Sequence, residues 1–207
     1  TNPHELATSP DGQHVALACY GGTSVDIFAT DSLERVASID LGANARPHGI
    51  VWHANGDIYA TAEGRKSVFW IKAPLSETRD LFESGTGKEG SHMLAVSPDG
   101  RTAWTTDLGS RTVTRVDLVT RRAPLSVTVG EEPEGISLSP DGSTLYVAGG
   151  TGDGDVLRAD DAAALSPLLG DGLARHSRAA DAEARHLHVV GRDRLRGRAA
   201  ALIGDAD

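Results

Sequence analysis

The sequence predicts an all-β fold of repeated four-stranded blades, and three observations predict it. A tight turn recurs at a near-fixed period, strand-length apolar runs fill the intervals, and no helix of useful length fits between them. The turn stands at Ser9-Pro10-Asp11-Gly12 and returns as His53-Ala54-Asn55-Gly56, Ser97-Pro98-Asp99-Gly100 and Ser139-Pro140-Asp141-Gly142, so its glycines are 44, 44 and 42 residues apart. A period in that range marks a unit that cannot bury its apolar face alone and must stack on its neighbours.

The elements of one unit are clearest in the third. Met93-Leu94-Ala95-Val96 reads as its first strand and Thr102-Ala103-Trp104-Thr105-Thr106 as its second. Thr112-Val113-Thr114-Arg115-Val116 is the third, and Leu125-Ser126-Val127-Thr128-Val129 the fourth. All are rich in β-branched and apolar residues and bounded by Gly, Asp, Ser or Pro. The Ser-Pro-Asp-Gly element joins the first two strands: proline presets φ at the second turn position, aspartate suits the third, and glycine takes the left-handed conformation after a type I turn. Four antiparallel strands every 42 residues or so is the blade of a β-propeller; a two-sheet sandwich needs no such periodicity. Counting gives about five blades, near residues 3–46, 47–90, 91–131, 132–173 and 174–207, forming a single propeller domain or a fragment of one.

The fifth unit is degenerate. Leu187-His188-Val189-Val190-Gly191 keeps the register of Leu145-Tyr146-Val147-Ala148-Gly149, but Asp181-Ala182-Glu183-Ala184 stands where the turn belongs. Alanine where φ must be positive costs about 1 kcal/mol or more. Arg192, Arg194, Arg196 and Arg198 then replace apolar alternation, so the chain from about Gly152 onward reads as eroded or poorly ordered.

Pro47-His48-Gly49-Ile50 and the run from Glu132-Pro133-Glu134-Gly135-Ile136 through the Ser139–Gly142 turn to Leu145-Tyr146-Val147-Ala148 resemble the YVTN family of β-propeller repeat proteins. The likeness covers roughly residues 2 to 150, and the Gly-His and Trp-Asp signatures of WD40 blades are absent. It implies a propeller that usually has seven blades, hence a piece of a longer chain, whereas the residues alone also permit a closed five-bladed ring. It further implies an extracytoplasmic setting. The wider superfamily includes binding scaffolds, lactone-opening enzymes, antibiotic lyases and copper reductases, some with histidines near the propeller axis.

Composition bounds the partners. The formal charge is −9, from 20 basic and 29 acidic residues, and residues 171–207 hold seven arginines against six acids, so the rest is more acidic still. An acidic body without a basic groove excludes nucleic acid as the expected partner. Apolar runs are only strand-length, so no membrane span is expected. Cys19 is the only cysteine, which rules out an intrachain disulfide.

One constellation carries chemistry. His4, His48, His92 and His176 hold the same place in units one, two, three and five, and Glu134 holds it in unit four, with spacings of 44, 44, 42 and 42. Each is expected just before the innermost strand of its blade, at one mouth of the central channel. Imidazoles and a carboxylate converging there can ligate a divalent transition metal such as Zn, Cu, Fe or Ni, or act as acid and base. A strand-capping role copied by each repeat explains the same register. His14, His53, His186 and His188 lie outside it and are expected at turn or solvated positions. Trp52, Trp70 and Trp104 are expected in inter-blade packing. Gly85-Thr86-Gly87-Lys88 is not a phosphate loop, and Gly152-Asp153-Gly154-Asp155 is a turn rather than a calcium loop.

The favoured functional reading is a non-catalytic binding scaffold that presents a loop-lined face and central channel to a protein, glycan or small ligand. The alternative is a metal-dependent enzyme of lyase, lactonase or oxidoreductase type. There His48 and His92 would serve as ligands or acid and base, and Glu134 as their carboxylate partner. No cofactor beyond that candidate metal is expected.

Overall fold

The computed structural model describes residues 2–150 and 154–159, and the fifth unit and His176 lie outside them. Among the described residues, fifteen strands run in chain order through four antiparallel sheets. The first sheet comprises β1 (Pro3–Thr8), β2 (His14–Cys19), β3 (Ser24–Ala29) and β4 (Arg35–Asp40), paired in sequence order. The second comprises β5 (Pro47–Trp52), β6 (Ile58–Ala62), β7 (Ser67–Lys72) and β8 (Asp80–Gly85). The third comprises β9 (Ser91–Val96), β10 (Thr102–Asp107), β11 (Thr112–Asp117) and β12 (Leu125–Thr128). The fourth shows β13 (Pro133–Leu138), β14 (Thr144–Gly149) and β15 (Gly154–Arg158). The only helical element among the described residues is a 3-10 turn at Glu63–Arg65. None of their helices is long and apolar enough to cross a membrane.

Each turn between first and second strands closes on itself. Gly12, Gly56, Gly100 and Gly142 all take positive φ, between 70° and 90°, as the turn chemistry requires. In the fourth sheet the Ser139 hydroxyl donates to Asp141 Oδ1 at 2.6 Å and accepts the Thr144 N–H at 2.9 Å. The Ser143 N–H also donates to Asp141. These donors, Ser139 first, hold the exposed Asp141 carboxyl down to about 2. The same pattern links Ser97, Asp99 and Thr102 in the third sheet.

Packing between sheets does more than the turns. Ala16 and Ile27 of the first sheet meet Ile50, Ile58 and Ile71 of the second in one buried cluster. On the other side of the second sheet, Tyr59 and Val68 meet Leu94, Ala103 and Val116 of the third. Trp104 and Val113 meet Leu145, Val147 and Leu157 across the next junction. Alternate residues of β6 therefore serve two different cores, which is why that strand is buried along its whole length. Full burial of one Ile or Leu contributes about 1.5–3 kcal/mol, against about 0.5–1.5 kcal/mol net for a hydrogen bond, so stacking rather than the turn dominates. The first strands of successive sheets also touch: β1 against β5, β5 against β9, and β9 against β13. They line a common axis, and the site forms at one end of it.

Candidate functional site

The register residues are each the second residue of a first strand rather than a position ahead of it, because pairing starts one residue earlier, at Pro3, Pro47, Ser91 and Pro133. At that point each strand bulges. His4 and Glu5 lie opposite Ala18 alone, His48 and Gly49 opposite Thr61, and His92 and Met93 opposite Thr106, while Glu134 is the extra residue of β13. A bulge re-aims a side chain and leaves a backbone N–H without its ladder partner.

Threonine supplies the missing partners. Thr61 Oγ1 accepts the Gly49 N–H at 2.8 Å and donates to the His92 carbonyl of the next sheet at 2.5 Å. Thr106 Oγ1 accepts the Met93 N–H at 3.1 Å and donates to the Glu134 carbonyl at 3.0 Å. One hydroxyl thus satisfies its own bulge and fixes the next sheet's register residue. Gly49 leaves room for this approach: a Cβ there would stand 2.7 Å from the His92 carbonyl oxygen and 2.9 Å from Met93 Cα.

The result is a column. The rings of His4 and His48 are 3.8 Å apart between centroids, as are those of His48 and His92. His92 Nε2 meets Glu134 Oε2 at 3.1 Å, so the proton sits on Nε2 and the carboxylate orients the ring. Side-chain exposure runs from 39% at His4 to 12% at His92 and 52% at Glu134, while His48 is only 3% exposed. Burial, then the neighbouring His92, His4 and Arg46, push the His48 pKa down to about 3, so it is neutral at physiological pH. His48 Nδ1 and His92 Nδ1 are both buried without a hydrogen-bond partner.

Three further residues close the mouth, and none repeats from blade to blade. The Tyr20 ring meets His48 edge-on at 5.2 Å. Arg46, at a left-handed φ of 48° directly before Pro47, lies over the Tyr20 ring and bonds its hydroxyl. Glu63, 3.9 Å from Arg46, brings a carboxylate oxygen into a group in which its donor atom and those of His48 and His92 all lie within 4.8 Å of one another. A cleft of about 460 Å³ lined by Asn2, Tyr20, Thr23, Asn44 and Arg46 adjoins the column.

The remaining sequence candidates fall elsewhere. His53 belongs to a turn, where its Nδ1 accepts the Asn55 N–H. His14, half-buried, faces Trp52 at 6.2 Å at the turn end of the first two sheets. Trp70 stacks on Tyr59 and donates to Asp57. Gly154 and Asp155 open β15, and Asp155 accepts the Gly130 N–H.

No family model and no curated protein matches this chain. Solved structures do. Hydrazine synthase from Kuenenia stuttgartiensis superposes with a TM-score of 0.66 at 19% identity, over 78% of this chain and 47% of that one. A 6-phosphogluconolactonase candidate from Bacteroides uniformis gives 0.67 at 16% identity, over 81% and 53%. A streptogramin B lyase gives 0.57 at 15% identity, over 79% and 57%. The fold is a β-propeller. Identities this low establish the propeller architecture alone, and the chain spans about half the length of these three structures.

Proposed function

We propose that this propeller, of the YVTN type, is a binding module that takes a small ligand at the histidine end of its axis. One observation carries the reading: two imidazole nitrogens, His48 Nδ1 and His92 Nδ1, are buried at the same mouth without partners. A buried unpaired polar group costs about 1–3 kcal/mol, and a ligand that pairs with both removes that cost. The adjoining cleft gives such a ligand space, and Arg46 and Glu63 give it one charge of each sign to meet. The YVTN assignment rests on the Pro-x-Gly-Ile lead and the Leu145–Ala148 strand.

A second reading, a metal-dependent enzyme of lyase, lactonase or oxidoreductase type, draws on the His92–Glu134 pair, the arrangement of an oriented base.

Thermal unfolding with a panel of simple sugars, aldonolactones and short peptides tests the binding reading. A ligand at 100 times its Kd adds about 2.7 kcal/mol, which raises the midpoint by roughly 5–11 °C in a chain of this size. The expected result is at least one probe with this effect, lost in His92→Ala. A panel that moves the midpoint equally in His92→Ala contradicts the reading, and one that leaves it unmoved contradicts it for these organic classes.

A further inference from the structure

We infer that His48, His92 and Glu63 form a site for one divalent transition-metal ion of the zinc and copper class. This rests on the axial mouth being the binding site and names what it binds. It also departs from the repeat register, because Glu63 lies outside it and two of the five register positions, His4 and Glu134, stand beside the site rather than in it.

The donor set selects the ion. Two imidazoles and one carboxylate suit Zn, Cu or Ni, whereas calcium and magnesium take all-oxygen sites. Metal–ligand bonds of about 2.0–2.2 Å give a tetrahedron with edges of roughly 3.4 Å. The three donors already lie within 4.8 Å of one another, so small side-chain rotations are all that separates them from that geometry.

The neighbours are arranged as a metal site needs them. His92 presents Nε2 to the Glu134 carboxylate and keeps Nδ1 buried and free, the carboxylate–imidazole arrangement that orients a metal ligand and raises its basicity. His48 Nδ1 is likewise buried without a partner. Thr61 holds the His92 backbone against the His48 bulge, which fixes the spacing between the two ligating blades. Arg46 is the cation at the mouth, yet it rests on Tyr20 and stands 3.9 Å from Glu63, at the outer limit of an ion pair. Arg46 therefore holds the Glu63 carboxylate only at that limit, with the Tyr20 hydroxyl beside it as a second neighbour. A formal charge of −9 over the whole chain favours cation approach.

The test is calorimetric titration of the EDTA-stripped 207-residue chain with ZnCl2, together with electron paramagnetic resonance of the Cu²⁺-loaded protein. The expected result is one saturable equivalent. Glu63→Gln, which keeps the side-chain shape, and His92→Ala should each weaken binding at least tenfold, and His53→Ala at the far turn should leave it unchanged. The Cu²⁺ spectrum should show coupling to two imidazole nitrogens in the parent and one in His92→Ala. No saturable binding, or affinity unchanged by Glu63→Gln, overturns the site. The organic-probe panel, run in EDTA, separates the two proposals: a response lost in His92→Ala keeps the mouth as a binding site without the metal. Failure of both titration and panel removes the reading of the mouth itself.

Discussion

The two ends of the same blades obey different rules. At the turn end a serine, an aspartate and a glycine satisfy one another within four residues, and the contacts recur almost unchanged in the first, third and fourth sheets. At the axial end a histidine repeated in three sheets finds three different surroundings: His4 partly exposed at the end of the column, His48 sealed between two rings, and His92 set against a carboxylate. A contact made inside one repeat is inherited with the repeat. A contact made between repeats depends on which neighbour is present, so identical residues diverge in burial and chemistry. The proposed ligand site lies where that symmetry is broken.

Substitutions at the two ends separate these rules. The largest effect belongs to Gly49→Ala, whose Cβ has no space against the His92 carbonyl and Met93 backbone and would push the second and third sheets apart. Overpacking of that kind costs about 3 kcal/mol, read as a lowered urea midpoint and accompanied by loss of any ligand or metal response at the mouth. Gly12→Ala should cost less, about 1 kcal/mol, because a Cβ there meets nothing within 4 Å and only the φ of 70° opposes it. It should leave binding untouched. A Gly49→Ala variant as stable as Gly12→Ala would mean that the axial strands do not fix the column.

The same division explains what was legible. The period, the four-stranded units and the turn glycines could be read directly, because each is a local requirement repeated along the chain. The convergence of His4, His48, His92 and Glu134 also followed from register once a propeller was inferred. The bulge did not, since Ile50-Val51-Trp52 and Met93-Leu94-Ala95-Val96 are unbroken apolar runs in which a one-residue phase shift leaves no mark, so it becomes visible only through its pairing. Thr61 and Thr106 read as ordinary strand threonines, although each holds the next sheet's register residue in place. Glu63 and Tyr20 were hidden for the opposite reason. They occupy equivalent places, each following the residue that pairs with the leading proline of its sheet, yet they differ in type, so no repeat signal marks them. Arg46 was obscured in the same way.

The central claim is that position in the stack, not residue type, sets the chemistry of the column, and His48 tests it most directly. Its folded pKa is lowered whereas an unfolded imidazole protonates near 6.5. Its burial therefore weighs nothing against the fold above that pH, and destabilises it increasingly as pH falls from about 6.5 towards 3. The measurement is a pH titration of the His48 ring resonances in EDTA-treated protein, from pH 8 down to 5. The ring should stay neutral over that range, showing no titration step of its own, while global stability declines below pH 6.5. A His48 ring that titrates near pH 6.5 would show it open to solvent, and the sealed column, with the ligand site built on it, would be contradicted.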